Sequence, residues 1–243
     1  LPVTINASPH PGQRDVHASA ARFRCLCAGR RWGKTRLGVN ECIDAASKGG
    51  TAWWVSPTYK MSEVGWRPLR RITSRIPGAE VSLSERRVTF PSGGSVTIRS
   101  ADNPNALRGE GLDFLVMDEA AFIGEDAWLE ALRPALSDKK GKALFISTPK
   151  GLNWFHTLYQ RGQDGGEWQS WQKPTADNPY IDPTEIEAAR KSVMTVEGKS
   201  LKADLKGGAM TFDDFLEEAD YAVIEDAYRR AGRAISPDLA TTY

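Results

Sequence analysis

The 243-residue sequence has few cysteines, no long hydrophobic run and almost no net charge. Its three cysteines, Cys25, Cys27 and Cys42, are too few and too closely spaced for a disulfide framework or a four-thiolate zinc site, so they favour a reducing compartment. No apolar run approaches the ~20 residues that span a bilayer, and the first residues show no charged head followed by an apolar stretch. We therefore expect neither membrane insertion nor secretion.

The net charge of +1 hides an uneven distribution along the chain. Residues 1–40 carry seven Lys or Arg against one Asp, whereas residues 203–226 carry eight Asp or Glu against one Lys. A basic surface on the first segment favours contact with a polyanion. The hydrophobic share of 40% is typical of a globular chain, so a sizeable core is expected.

Short apolar strands alternate with helices over the first 150 residues, which predicts an α/β fold with a mainly parallel central sheet flanked by helices. The predicted strands are 22–28, 51–56, 114–117 and 142–147, with a β-hairpin formed by 86–90 and 95–99. The predicted helices are 34–46, 60–76 with a break at Pro68, 125–136, 183–193 and 211–232. Because the character changes near residue 175, we expect a core at 1–175 and a helical lid or linker at 176–243.

The most informative stretch is AGRRWGKT, at residues 28–35, between a predicted strand and a predicted helix, as a phosphate-binding P-loop requires. Phosphates need converging backbone N–H groups and the positive end of a helix. Gly33 allows close approach, Lys34 neutralises the β and γ oxygens, and the Thr35 hydroxyl can bind Mg²⁺. Ala28 stands where the strict pattern has glycine, and a turn that only caps a helix is the alternative. The candidate ATP-binding residues are Ala28, Gly29, Arg30, Arg31, Trp32, Gly33, Lys34 and Thr35.

Two carboxylates, Asp118 and Glu119, follow the apolar run 114–117. Asp118 is the candidate metal ligand, and Glu119 is the candidate base that orients and deprotonates the attacking water. An ordinary solvated strand end is the alternative. The sequence has no Asn-Lys-x-Asp box, so adenine is favoured over guanine.

The ordered set of motifs resembles the N-terminal ATPase domain of tailed-phage large terminases, over most of residues 9–160. Besides the P-loop, the motifs are Pro11-x-Gln13, Val55-Ser56-Pro57-Thr58, Phe90-Pro91-Ser92-Gly93-Gly94-Ser95, Ser100-Ala101-x-x-Pro104-x-x-Leu107-Arg108-Gly109, Phe114 to Ala121, and Ser147-Thr148-Pro149-x-Gly151. The resemblance implies a P-loop NTPase of the additional-strand (ASCE, RecA-like) class with a small C-terminal helical lid. It also implies that ATP hydrolysis with Mg²⁺ drives double-stranded viral DNA into a procapsid.

The resemblance also implies roles for single residues. Gln13 would read the adenine edge, and Arg30 would sense the γ-phosphate. Arg108 would act as an arginine finger on a neighbouring subunit's ATP, which is worth ~10³–10⁵ in rate. Ser147, Thr148 and Pro149 would couple phosphate loss to movement. The alternatives are a loop polar residue for Gln13, a solvated loop arginine for Arg108, and a plain strand end for Thr148; whether Arg108 acts in cis or in trans is left open.

The implied partners are double-stranded DNA bound without sequence specificity, the portal and procapsid, the small terminase subunit, and further copies of the chain in a ring, with a pentamer expected. The implied location is the host cytoplasm, at the portal. Four arginines of the 60–76 helix form either a solvated face or a DNA contact: Arg67, Arg70, Arg71 and Arg75. The chain has no room for the nuclease domain that large terminases usually carry, so DNA cleavage is not expected. A helicase-like DNA remodeller and an ATP-switched capsid or portal clamp without turnover are the alternative functions.

Overall fold

The computed structural model describes residues 9–188. Its strands are β1 (Phe23–Ala28), β2 (Thr51–Ser56), β3 (Glu80–Ser82), β4 (Arg87–Thr89), β5 (Ser95–Ser100), β6 (Phe114–Asp118), β7 (Lys142–Ser147) and β8 (Trp168–Lys173). Its α-helices are α1 (Pro11–Ala18), α2 (Lys34–Ser47), α3 (Glu63–Thr73), α4 (Arg133–Ala135) and α5 (Trp154–Asp164). Residues 183–188 are also helical. The helix predicted at 211–232, the acidic segment and most of the predicted lid lie outside the described residues.

All eight strands form one mixed sheet in the order β3-β4-β5-β2-β6-β7-β1-β8. The six strands from β5 to β8 in this order are parallel, and β3, β4 and β5 pair antiparallel at one edge. Strand β7 lies between β1, which leads into the P-loop, and β6, which ends in the acidic pair. This inserted strand defines the additional-strand class, so the predicted fold class is confirmed.

The central strands are buried on both faces of the sheet, which explains their continuous apolar sequences. On one face, Leu26, Trp54 and Val116 pack with α2 and α3. On the other face, Trp53 and Leu115 pack in a cluster that also contains residues of α5 and of the helical segment after β6. Trp53 and Trp54 are each about 1% exposed, so both are core residues.

Two predicted helices differ from the observed ones, and in both cases a proline is involved. Pro68 lies inside α3 and does not break it, because Trp66 and Leu69 bury that helix against the core. The helix predicted at 125–136 is π-helical over Ala127–Leu132 and continues as α4. Pro134 has no amide hydrogen to donate there, and the Arg133 amide donates to Trp128 O, five residues back.

Sequence reasoning missed α1, β3, α5 and β8. Helix α1 carries a readable signal, because Pro11 stands at its first position and His10 and Gln13 form a capping box. Strand β8, with the sequence WQSWQK, is an edge strand beside β1. Its polar residues do not form the apolar run by which the other strands were predicted. None of the helices in the described part of the chain is long and apolar enough to span a membrane.

Candidate nucleotide-binding site

The loop of residues 28–35 connects the end of β1 to the first turn of α2, at the edge of the sheet where the parallel strands end. Gly33 caps α2 in the left-handed region, with φ at 107°. A Cβ atom at this position would lie 2.6 Å from Gln13 Nε2. The backbone conformation therefore favours glycine at position 33, and a side chain there would also displace the Gln13 amide from its place.

Lys34 is folded back over its own loop. Its ammonium donates hydrogen bonds to Ala28 O at 2.6 Å and to Gly29 O at 3.0 Å. Burial lowers the pKa of Lys34, while the nearby carboxylates of Glu119 and Asp118 favour its charged form. A lysine ammonium has three donors. The two hydrogen bonds to the loop fix its position and leave one donor for a ligand.

Gln13 joins α1 to the loop through both ends of its amide. The oxygen Oε1 accepts from His10 N at 3.1 Å, and Nε2 donates to Gly33 O at 3.0 Å. Next to it, His10 Nε2 lies 2.9 Å from Trp32 O. The structure thus places Gln13 against the loop, where its observed contacts are with backbone groups. Adenine recognition by Gln13 stays a prediction.

Helix α1 is held in this position by the buried Arg24–Glu41 ion pair and by the more exposed His17. Arg24, on β1, donates to Val16 O at 2.9 Å and pairs with Glu41 of α2. The other oxygen of Glu41 lies 2.5 Å from His17 Nδ1 on α1. Three elements are tied together here, so the segment that carries Gln13 has a defined position relative to the loop.

Asp118 is the last residue of β6 and is only 4% exposed. Burial, and then repulsion from the neighbouring Glu119 carboxylate, raise the pKa of Asp118 to about 7. The Lys34 ammonium and a hydrogen bond from the Ser56 hydroxyl act in the opposite direction. Ser56 in turn accepts a hydrogen bond from Trp54 Nε1 at 3.0 Å. The fold therefore orients this carboxylate while keeping it from water.

Glu119 adopts a left-handed backbone conformation, with φ at 47°. Its Oε2 atom accepts hydrogen bonds from Ser147 Oγ at 3.2 Å, Thr148 N at 3.3 Å and Thr148 Oγ1 at 3.3 Å. Left-handed backbone is uncommon for a residue with a side chain and is often found at functional sites. The predicted base and the predicted coupling residues are therefore in direct contact at the ends of neighbouring strands.

The residues at this edge of the sheet fit a magnesium ion held jointly with phosphates. The described residues contain no group of three or more His, Cys, Asp or Glu side chains that could hold a metal alone. Mg²⁺ typically uses one or two carboxylates and completes its shell with water and substrate phosphates. Asp118 supplies such a carboxylate, and Thr35, in the first turn of α2, supplies a hydroxyl.

The predicted arginines lie at the surface. Arg108 follows a 3₁₀ turn, Pro104–Leu107, and is paired with Glu130 at 3.1 Å rather than with either acidic residue of the site. Arg30 is exposed on the loop, and its charge reaches Lys34, whose pKa it helps to lower. On α3, Arg67 pairs with Glu63 at 3.2 Å, and Arg70 lies 5.7 Å from the centre of the Trp66 ring.

Sequence reasoning gave no role in this site to Ser56, His10, Thr175 or Asn178. Ser56 ends β2, the strand beside β6, so the rule that ligands collect at the carboxyl ends of parallel strands could have indicated it. Thr175 Oγ1 donates to Arg30 O at 2.8 Å, and Asn178 Nδ2 donates to Arg31 O at 2.6 Å. Both residues follow β8, the strand that was not predicted, so no local signal indicated them.

Comparisons with known proteins agree with this geometry. The family model described as terminase large subunit, T4likevirus-type, N-terminal, matches residues 25–214. The large terminase subunit of Thermus virus P23-45 is 37% identical over 184 residues, covering 67% of this chain and 38% of that protein. The large terminase subunit of Escherichia phage T5 is 32% identical over 182 residues, covering 71% of this chain and 41% of that protein.

Among solved structures, the large terminase ATPase domain of Thermus phage P74-26 superimposes with a TM-score of 0.65 at 28% identity, covering 86% of this chain and 92% of that domain. The chain spans about two fifths of the length of the curated relatives it matches. The family match extends over most of the sequence and includes the loop and the acidic pair, whereas His10 and Gln13 precede it. The chain therefore belongs to the terminase large-subunit family and corresponds to its N-terminal region.

Proposed function

We propose that this chain is an ATPase that uses ATP hydrolysis, with Mg²⁺, to translocate double-stranded viral DNA into a procapsid. The observation that carries the proposal is the position of Lys34, Asp118 and Glu119 at one edge of the sheet, within electrostatic reach of one another. Lys34 and its loop supply a triphosphate site, and the two acids supply a metal ligand and a base. Family membership and the likeness to a terminase ATPase domain support this assignment.

In this proposal each part of the site has one task. The backbone N–H groups of the loop and the Lys34 ammonium bind the phosphates, while Thr35 and Asp118 would hold Mg²⁺. The ion supplies charge neutralisation for the phosphate oxygens. Glu119 orients the attacking water and accepts its proton. Arg30, beside Lys34, adds positive charge near the γ-phosphate position.

Ser147 and Thr148 would transmit the reaction to the rest of the domain. Their hydroxyl groups and the Thr148 amide meet on one oxygen of Glu119. A change in the position or charge of that carboxylate after hydrolysis therefore alters the end of β7 directly. Pro149 follows at once, and its fixed φ limits how the chain leaves the strand.

Arg108 would complete the active site of a neighbouring subunit in a homo-oligomeric ring. Its partner in the chain is the exposed Glu130, and an exposed ion pair contributes at most about 1 kcal/mol. Such a pair is readily exchanged for contact with a phosphate group. The ring, expected as a pentamer, would assemble at the portal in the host cytoplasm, together with the small terminase subunit.

DNA contact in this proposal is electrostatic and independent of sequence. The arginines of α3 supply positive charge on one exposed helix face: Arg67, Arg70 and Arg71. Contacts to phosphates release counterions, so the affinity for duplex DNA falls steeply with rising salt. A DNA affinity that does not change with salt would contradict this part of the proposal.

The test is steady-state phosphate release by the wild-type chain, with and without duplex DNA, under conditions in which rings assemble. The proposal predicts ATP turnover that DNA stimulates. ATP binding with no turnover under any of these conditions would instead favour a nucleotide-switched clamp on the capsid or portal. Mixing Lys34→Ala subunits with Arg108→Ala subunits tests the arginine: restored turnover shows action in trans, and continued inactivity contradicts it.

A further inference from the structure

Every backbone carbonyl group from residue 28 to residue 33 of the phosphate loop lies within hydrogen-bonding distance of a donor. Lys34 binds the oxygens of Ala28 and Gly29. His10 faces the oxygen of Trp32, and Gln13 binds that of Gly33. The remaining two carbonyl groups, those of Arg30 and Arg31, are held from a different part of the chain.

Thr175 and Asn178 provide those two hydrogen bonds. The Thr175 hydroxyl lies 2.8 Å from Arg30 O, and the Asn178 amide nitrogen lies 2.6 Å from Arg31 O. Both residues belong to the short segment that follows β8, whose last residue, Lys173, accepts a hydrogen bond from Gly29 N at 3.0 Å. The segment is packed so closely on the loop that a Cβ atom at Gly29 would lie 2.3 Å from Thr175 Oγ1.

Because the peptide group is planar, the hydrogen bonds to these carbonyl groups also fix the direction of the N–H groups that follow them. In a trans peptide the N–H group points away from the C=O group that precedes it. A donor on Arg30 O therefore sets the direction of the Arg31 N–H. A donor on Arg31 O sets that of the Trp32 N–H, which lies 3.4 Å from Gly29 O across the turn. Converging N–H groups of this kind form the anion-binding concavity of a phosphate loop.

The backbone of Arg31 depends most on these hydrogen bonds. Its φ of 61° lies in the left-handed region, although it is not a glycine. Such a conformation is costly for a residue with a side chain and persists when surrounding contacts impose it. The hydrogen bond from Asn178 is one such contact, since it fixes the peptide group that follows Arg31.

We propose that Thr175 and Asn178 are positioning residues that hold the amide groups of the phosphate loop in their phosphate-binding orientation. The inference rests on the proposed nucleotide binding and adds two residues from the segment after β8 to the site. Neither residue needs to touch the nucleotide. Because the two residues control the orientation of the amide groups, their substitution should change the affinity of the loop for phosphate groups.

The test is the affinity of the chain for ADP, measured by isothermal titration calorimetry. Thr175→Val removes the hydroxyl at nearly constant volume, and Asn178→Ala removes the amide. Each change is expected to weaken ADP binding about three- to tenfold, which corresponds to one hydrogen bond of about 1 kcal/mol. Thr175→Ser keeps the hydroxyl and should bind ADP within about twofold of wild type.

Thr184→Val is the matched control, because the Thr184 hydroxyl binds Asp182 at 2.7 Å and not the loop. This variant should bind ADP like the wild type. The melting temperature of each variant is measured in parallel, and Asn178→Leu, which is neutral and lacks the donor, replaces Asn178→Ala if that variant does not fold.

Each outcome decides between the proposals. Weaker binding in Thr175→Val with recovery in Thr175→Ser supports the positioning role. Unchanged ADP binding in both Thr175→Val and Asn178→Ala overturns it and leaves the proposed function intact. Absence of ADP binding by the wild-type chain overturns both proposals, because then there is no phosphate site to position.

Discussion

The phosphate loop and the acidic pair are two halves of one candidate site, yet the fold stabilises them in different ways. The carbonyl groups of the loop already have protein donors facing them. Asp118, by contrast, is buried next to a second carboxylate, and its pKa is raised to about 7. The hydrogen bonds that hold the loop are therefore formed by the protein alone. The acidic pair, by contrast, carries a charge repulsion that a bound cation would reduce.

This difference separates binding from chemistry. Residues of the loop should determine how tightly nucleotide binds, because their positions are preset. Residues of the acidic pair should determine what happens to the bound nucleotide, because their charges are matched to the metal and the attacking water. Substitutions in the two halves should thus have separable effects on affinity and turnover.

The largest effect is expected for Glu119→Gln, which removes the proposed base at constant shape. We expect turnover to fall about 10²–10⁴-fold, the usual contribution of general base catalysis, with ATP affinity within about threefold of wild type. Phosphate release and equilibrium binding, measured on the same preparation, check this. Glu85→Gln, at an exposed position, is the control, and turnover near the wild-type value in Glu119→Gln would remove Glu119 from the chemistry.

A smaller effect, on binding, is expected for Lys34→Ala. Hydrogen bonds to charged groups contribute about 1.5–3 kcal/mol, so ATP affinity should fall about tenfold to a hundredfold. Equilibrium titration with a fluorescent ATP analogue measures the change. Lys60→Ala, an exposed lysine outside the site, should bind like the wild type, and equal binding by Lys34→Ala would contradict a triphosphate site at this loop.

Asp118→Asn should make the protein more stable while impairing the site. A carboxyl group whose folded-state pKa lies above its value of 3.8 in the unfolded chain favours folding only while protonated, so its contribution is lost as pH rises from about 4 to about 7. At pH 8 we expect Asp118→Asn to raise the free energy of unfolding by about 1–2 kcal/mol. Urea denaturation measures this, with Asp138→Asn at an exposed position as the control. A lower stability than wild type at pH 8 would show that Asp118 is not electrostatically costly.

The smallest effect is expected for Thr148→Val, which removes one of the hydrogen bonds to Glu119 and keeps the backbone amide that provides another. Loss of one hydrogen bond of about 1 kcal/mol should lower kcat about three- to tenfold, with KM for ATP unchanged. Steady-state kinetics separate the two parameters. A raised KM at unchanged kcat would show that Thr148 acts in nucleotide binding, as the loop does. It would contradict the proposed role of Thr148 in turnover.

The parts of the site that lie close together in sequence were predictable from it. The loop is a single run from Ala28 to Thr35, and the acidic pair directly follows an apolar strand, so each has a local pattern with a known chemical purpose. The ends of β2 and β7 were also predictable to within a residue, because Thr51–Ser56 and Lys142–Ser147 are short apolar runs closed by proline.

The contacts that bridge distant segments were not predictable. Thr175 and Asn178 reach the loop only because β8 pairs with β1, and β8 has too polar a sequence to be recognised as a strand. The strand pattern could place Ser56 at the same edge of the sheet as Asp118, but the contact between the two residues depends on β2 lying beside β6, which no local pattern specifies. A periodicity reports which face of an element is buried, but it does not report which elements become neighbours.

The central claim is that the loop binds the triphosphate of ATP while the acidic pair handles the metal and the water. A crystal structure of the chain with Mg²⁺ and a slowly hydrolysed ATP analogue tests it most directly. We predict the phosphates inside the loop against Lys34, the ion between Thr35 and Asp118, and the Glu119 carboxylate facing the γ-phosphate. Nucleotide bound elsewhere, or a loop filled while Asp118 and Glu119 point away from the phosphates, would contradict the account.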